Sequence, residues 1–328
     1  MRQDEESTLS GEAEIRAPGI TPGELNLPVW SWANIWRQVQ AYYALTKPRV
    51  VALILFTAIV GMLLATPGII AIGTLVFGTL GIGLGAAAAA AVNHVIDQHM
   101  DAKMSRTAWR PIATGGLGTF QGLTFATILA LLSMWVLVEW VNVETAVLTF
   151  LAMIGYAVIY TGFLKRTTPQ NIVWGGAAGA VPPVLGWCAV SGHVSYESIV
   201  LFSIIFFWTP PHFWALALHY KDDYAKAKIP MLPVTHGEEH TQTQILVYTV
   251  ILVLVTLLPF IMGHAGWLYL AGAAACNVGF LGYAVKLKFR RKPHTAIRMF
   301  AFSIVYLMGI FSALLIDHYF TILRGILA

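Results

Sequence analysis

The sequence predicts an all-α, polytopic membrane protein with nine transmembrane helices, and three observations carry that expectation. Hydrophobic residues make up 57% of the 328 and charged residues only 11%, whereas a soluble domain carries about a quarter charged residues; mean hydropathy is +0.70. Nine apolar runs, near 50–66, 68–92, 120–140, 144–164, 171–190, 198–219, 244–263, 266–287 and 297–320, are each long enough for a hydrocarbon core, which takes about 17–25 helical residues. Charge placement agrees with that count. Nineteen of the twenty Lys and Arg residues precede the first run or lie at alternate connections, and Arg324 alone falls on the other side. By the positive-inside rule the N-terminus is cytoplasmic and the C-terminus lies on the outer side.

Residues 1–29 hold Asp4, Glu5, Glu6, Glu12, Glu14 and Glu24 and no apolar stretch. A secretory signal needs an apolar core and a transit peptide is Arg-rich and poor in acids. The tail therefore reads as a disordered cytoplasmic extension, which favours a bacterial cell (inner) membrane over an organelle. Residues 30–46, with Trp30, Trp32, Ile35, Trp36, Val39, Tyr42 and Tyr43, read as an interfacial amphipathic helix or as an aromatic anchor at the headgroups. Residues 47–322 then form the nine-helix domain, its first two spans joined by a tight turn at Pro67-Gly68. The two cysteines, Cys188 and Cys276, lie apart within apolar runs and suggest packing rather than a disulfide or zinc site.

Connections on the outer side are short. Two on the cytoplasmic side, near 93–119 and 220–243, are long, and long loops in a compact protein are usually functional. The first opens with Asn93-His94-Val95-Ile96-Asp97-Gln98-His99-Met100-Asp101. Residues four apart share one helix face, so Asn93, Asp97 and Asp101 form a stripe of oxygen ligands. Like charges at that spacing repel, and with no cation between them in sequence the stripe is expected to await an external one. Oxygen-only ligands suit Mg²⁺, which takes one or two carboxylates and completes its shell with substrate phosphates. Arg106 and Arg110 follow, well suited to phosphate oxygens. The second loop carries Asp222 and Asp223, then Lys226. Two acidic clusters facing one cytoplasm-side cavity would hold a metal-bound diphosphate, with an apolar interior for an isoprenoid tail. A solvated polar helix end is the plainer reading of either motif alone.

These motifs resemble the UbiA superfamily of intramembrane prenyltransferases, which carries Asp-rich motifs after the second and sixth helices. Within it the heme O synthase branch is similar in several strings. These are Leu45-Thr46-Lys47-Pro48-Arg49-Val50, Asn93 to Asp101, Thr168-Pro169-Gln170-Asn171-Ile172-Val173, Gly175 to Ala180 with Pro182-Pro183, Pro211-His212-Phe213-Trp214-Ala215-Leu216, and Asp222-Asp223-Tyr224 through Ile229-Pro230-Met231-Leu232-Pro233-Val234. The resemblance covers roughly 41–320. It implies a UbiA-type bundle around a central cavity and transfer of farnesyl from farnesyl diphosphate to the 2-vinyl group of heme B, with Mg²⁺ as cofactor. A heme A synthase or an oxidase-assembly factor is the partner it suggests; nucleic acid is not one.

The superfamily's second motif is usually D-x3-D, but Lys226 stands four residues after Asp222, so Lys226 is expected to meet phosphate directly. The metal-binding and catalytic candidates are thus Asn93, Asp97, Asp101, Asp222 and Asp223. Arg106, Arg110, Lys226, Lys47 and Arg49 are the diphosphate-binding candidates, Lys47 and Arg49 doubling as positive-inside anchors. His212 and His219, seven apart on one helix face, and Asn171 are candidates for haem contact. Pro210-Pro211 is expected to break the sixth span just before His212. His94 and His99 are expected to lie solvated at the cytoplasmic face. The Lys286–Arg298 cluster reads as a topology determinant. Two other readings stay open: a UbiA-type enzyme acting on an aromatic quinone precursor, and a haem-handling transporter or assembly factor. Transporters, however, tend to place ionisable groups near the midplane, and here the acids cluster at one face.

Overall fold

A computed structural model describes residues 31–290 and 294–327. The expected acidic tail at 1–29, Trp30, and Arg291 and Lys292 of the basic cluster lie outside the described residues. Among those described, every regular element is helical. Eight helical segments are long and apolar enough to cross a membrane, and a ninth candidate is a bent pair that includes Pro48–Leu64. The chain is a polytopic membrane protein, which is the only solvent in which so many apolar side chains can stay at the surface.

Helix α1 covers Trp32–Leu45. Lys47 then takes a left-handed conformation, φ 49°, and Pro48 starts α2 (Pro48–Leu64), where a missing N–H costs nothing. Helix α3 (Ile72–Asp101) has 30 residues, about 45 Å of helix. That is more than a bilayer core needs, so its last turns carry the Asn93 stripe beyond the apolar run. Small residues let α3 approach its neighbours: the Ser133 hydroxyl of α4 (Thr119–Trp140) donates to the Gly81 carbonyl at 2.7 Å.

Helix α5 (Val143–Ile154) is capped by Asn142, which accepts the Thr145 N–H. It then widens into a π-helical stretch, Gly155–Leu164, before a last turn, α6 (Lys165–Thr167). The fifth span is two short helices in series, α7 (Asn171–Ala180) and α8 (Pro182–Ser191), the second started by Pro182-Pro183 and stopped by Gly192 at φ 73°. Helix α9 (Tyr196–His219) begins at a Ser195/Ser198 capping box and is the most enclosed of the spans.

Pro210 and Pro211 do not break α9, contrary to the sequence expectation; both lie inside a continuous helix. Proline removes its own N–H bond and crowds the preceding turn, but packed neighbours re-satisfy such positions inside a membrane. Here α9 is clamped to the last helix, with Trp208 Nε1 donating to the Ser303 carbonyl at 2.8 Å. After α9 come two short pieces, α10 (Lys221–Lys226) and α11 (Leu232–Thr235). The remaining helices are α12 (Gly237–Val255), α13 (Leu258–Ile261), α14 (Trp267–Phe289) and α15 (Thr295–Leu327). At the opposite end, buried Asp317 of α15 caps α14 by accepting the N–H groups of Gly266 at 2.6 Å and Tyr269 at 3.0 Å.

Candidate active site

The last two turns of α3 bury three polar side chains at the edge of the apolar bundle. Asn93 is 3% exposed, Asp97 1% and Asp101 4%. Their helical spacing aligns them: Asn93 Nδ2 donates to Asp97 Oδ2 at 2.9 Å and to Thr161 Oγ1 at 3.2 Å. Thr161 sits in the π-helical stretch, where one extra residue per turn shifts the following side chains around the axis; such bulges recur at functional sites.

The carboxylates are not left without cations, as their sequence neighbourhood had suggested. Lys165 Nζ lies 2.5 Å from Asp97 Oδ2, and Arg110 Nη1 lies 2.6 Å from Asp101 Oδ2. Burial explains the correction: an unpaired carboxylate out of water is costly enough that the fold must bring a partner to it. A third cation, Lys47, donates to Asn93 Oδ1. Burial, together with the charges of Arg110 and Lys165, pulls the Lys47 ammonium down to about 7 against the opposing pull of Asp97 and Asp101. Lys165 and Arg110 balance the two carboxylates, and Lys47 in its protonated form adds the positive charge that would draw a further anion.

Several polar atoms in this region are sealed without a partner: Asp97 Oδ1, Asn171 Oδ1 and both ring nitrogens of His94. Asn171, fully buried at the start of α7, donates to the Lys165 carbonyl at 3.3 Å and so fixes the end of the helix that carries Lys165. His94 is 3% exposed, which corrects the expectation of a solvated imidazole; one residue past Asn93 on the same turn, it is turned into the bundle. Orphaned buried polar atoms are uncommon in native structures and call for a ligand or a function.

The second motif approaches the first through other groups than its carboxylates. Asp223 accepts from Ser105 Oγ of the first loop. Arg106 Nη2 meets the Tyr224 hydroxyl at 3.3 Å, and its guanidinium stands over the Tyr220 ring, 5.7 Å from the centroid. Tyr224 is buried, and that burial raises its hydroxyl pKa against the opposing charges of Arg106 and Arg110. Asp222 and Lys226 are exposed. The two loops thus meet on one side of the bundle, with Asp222 exposed and Asp97 buried. Among the described residues, no three His, Cys, Asp or Glu side chains converge to hold a metal by themselves. Mg²⁺ fits on different terms: one free carboxylate oxygen, Asp97 Oδ1, beside cations able to hold the phosphates that complete its shell.

Of the other candidates, Arg49 and His219 are exposed. His212 is buried with its ring between Trp208 and Phe300, centroids 4.2 and 4.4 Å away, and its Nδ1 is 2.5 Å from Ser303 Oγ. Sequence reasoning missed Lys165, which it counted only as a topology charge, and Thr161, Ser105 and Tyr224. The wider winding of the π-helical stretch, Gly155–Leu164, leaves no mark in apolar periodicity.

The UbiA prenyltransferase family model matches residues 54–308. Protoheme IX farnesyltransferase of Thioalkalivibrio sulfidiphilus is 55% identical over 289 residues, covering 88% of this chain and 95% of that one. The enzyme of the same name from Methylococcus capsulatus is 55% identical over 284 residues, covering 87% and 94%. Among solved structures, a digeranylgeranylglyceryl phosphate synthase matches with a TM-score of 0.71 at 17% identity, over 85% of this chain and 98% of that one. A UbiA homologue of Archaeoglobus fulgidus bound to GPP and Mg²⁺ matches with a TM-score of 0.56 at 17% identity, over 84% and 99%. At such identities the two structures speak for the fold.

Proposed function

The chain belongs to the UbiA prenyltransferase family, and we propose that it transfers a farnesyl group from farnesyl diphosphate to a vinyl group of heme B, giving heme O. The acceptor and donor follow from relatives 55% identical over most of the chain that bear the name protoheme IX farnesyltransferase. The observation that carries the mechanism is the buried Asn93–Asp97–Asp101 stripe ringed by Lys47, Lys165 and Arg110, with Asp97 Oδ1 unpartnered.

In this reading the diphosphate enters the cradle and meets Lys47, Lys165 and Arg110, with Arg106 at its rim. Asp97 and Asp101, with Asn93 beside them, would hold Mg²⁺, which would supply charge neutralisation of the leaving group. The cations stabilise charge where it develops, on the bridging oxygen as the allylic C–O bond breaks. The apolar bundle keeps water from the farnesyl cation until the vinyl carbon attacks it. Water adds to the resulting cation on the porphyrin side chain and loses a proton, so heme B, farnesyl diphosphate and water become heme O, diphosphate and a proton. Asp223 positions the loop that carries Arg106 by holding Ser105. His212, His219 and Asn171 remain the acceptor-side candidates, Asn171 through its free Oδ1.

The one-sided distribution of basic residues supports a bacterial inner membrane location with the N-terminus and this site cytoplasmic, the C-terminus outside and α1 lying at the interface. The product is more apolar than its precursor, so an enzyme that next modifies it, of the heme A synthase type, would take it up within the bilayer. The reading is tested by incubating membranes holding the chain with heme B, farnesyl diphosphate and Mg²⁺ and separating the haems by chromatography. Heme O is the expected product, lost in Asp97→Ala. No heme O, but a prenylated product when hydroxybenzoate is supplied in place of heme B, would move the chain to the quinone branch, and full activity in Asp97→Ala would remove the metal assignment.

A further inference from the structure

Two histidines on the same side of the molecule as the candidate site take no part in the chemistry above. His236 precedes the first residue of α12 and His240 follows one turn later; both are exposed, and their ring centroids lie 5.3 Å apart, 31° from parallel. We propose that His236 and His240 chelate a divalent transition-metal ion of the zinc, nickel or copper class at the start of α12.

Three features support a chelate over an incidental pair of solvated rings. Histidines four apart on one helix face are a recurrent metal-binding arrangement because one ion can reach both nitrogens, and exposed rings can rotate to do so. The Thr235 hydroxyl also gives the His236 ring a support. It lies 3.2 Å from the Met231 carbonyl, 3.4 Å from the Leu232 carbonyl and 2.8 Å from His236 Nδ1. In the tautomer whose Nδ1–H donates to that hydroxyl, Nε2 keeps the lone pair that a metal ion takes. Donation from the second ring nitrogen is the usual support for a ligating imidazole.

A cation near a helix N-terminus opposes the macrodipole, and Glu238 and Glu239 in the first turn of α12 offset that penalty in part. Both carboxylates have lysines nearby, Lys221 at 3.0 Å from Glu238 and Lys288 at 3.7 Å from Glu239. Water completes the shell, since no third His, Cys, Asp or Glu among the described residues converges on the pair. Imidazole donors favour the borderline ions over Mg²⁺, which separates this site chemically from the Asp97 cluster.

The test uses the full chain in detergent, purified without a polyhistidine tag and titrated with Cu²⁺ under electron paramagnetic resonance. The expected result is one tight ion per chain with a hyperfine pattern from two nitrogens, displaced by excess Zn²⁺ and untouched by Mg²⁺. His240→Ala or His236→Ala reduces affinity about a hundredfold by removing the chelate. Thr235→Val, which leaves both rings in place, weakens it by about tenfold. Asp97→Asn leaves Cu²⁺ binding unchanged, so loss of prenyl transfer does not bear on the result. A single-nitrogen signal, or a tight site that survives both His→Ala variants, overturns the proposal.

Discussion

Lys165→Met is the substitution that most directly tests whether the site is a charge-balanced cradle. Asp97 is 1% exposed and has two partners on Oδ2, Lys165 at 2.5 Å and Asn93 at 2.9 Å. Removing the ammonium leaves a buried carboxylate with one neutral hydrogen bond, and breaking a buried pair from one side costs about 3–5 kcal/mol. The surviving Asn93 bond and the nearby Lys47 place the expected cost at the lower end, about 3 kcal/mol.

Asp97→Asn is milder. The Lys165 side chain is 17% exposed and can turn its ammonium to water, so the cost is about 1–2 kcal/mol. The double variant removes both charges and approaches wild type, since exchanging a buried pair for neutral groups is often close to neutral. The coupling energy, the sum of the two single costs that the double variant does not show, is then about 4–5 kcal/mol. Unfolding in mixed micelles of rising sodium dodecyl sulfate content, followed by helicity, measures all four species. Heme O formation supplies the contrast, because all three variants lose turnover while the double variant regains stability. Additivity of the single effects to within about 0.5 kcal/mol would show that the pair does not interact in the folded protein.

Arg110→Met lowers kcat/KM about a hundredfold, as loss of a preorganised group facing developing charge does; Arg110→Lys recovers part of that, keeping the charge without the planar fork. Gly186→Ala places a methyl group against the backbone carbonyl of Ala58, which cannot yield as a side-chain tip would. It wedges α8 from α2 at a cost of about 1–3 kcal/mol in the same unfolding titration. Asp317→Asn weakens the charged cap on α14 by about 1–2 kcal/mol and leaves kcat and KM unchanged, because that cap sits at the end of the bundle remote from Asp97.

The elements that could be recognised in sequence are those whose signal is local. Apolar run length marks the spans, and the period of a helix puts Asn93, Asp97 and Asp101 on one face before any fold is known. Even the extra length of α3, which carries that stripe past the apolar run, follows from where its hydrophobic residues stop. Helix α9 shows the limit of local rules, since Pro210 and Pro211 ask for a break that packing against α15 overrides.

What lay beyond the sequence is pairing across distance. Lys165 meets Asp97 from 68 residues away, Lys47 meets Asn93 from 46, and Ser105 meets Asp223 from 118. Each lysine had an equally good local explanation as a positive-inside charge. Sequence alone therefore determined a membrane bundle with an acidic stripe at the end of its second span. Tertiary packing alone decided which cations neutralise that stripe and which oxygen is left free. A helix repeats every few residues and can be read from its own stretch of chain, whereas the partner of a buried charge is chosen by the helices that close around it.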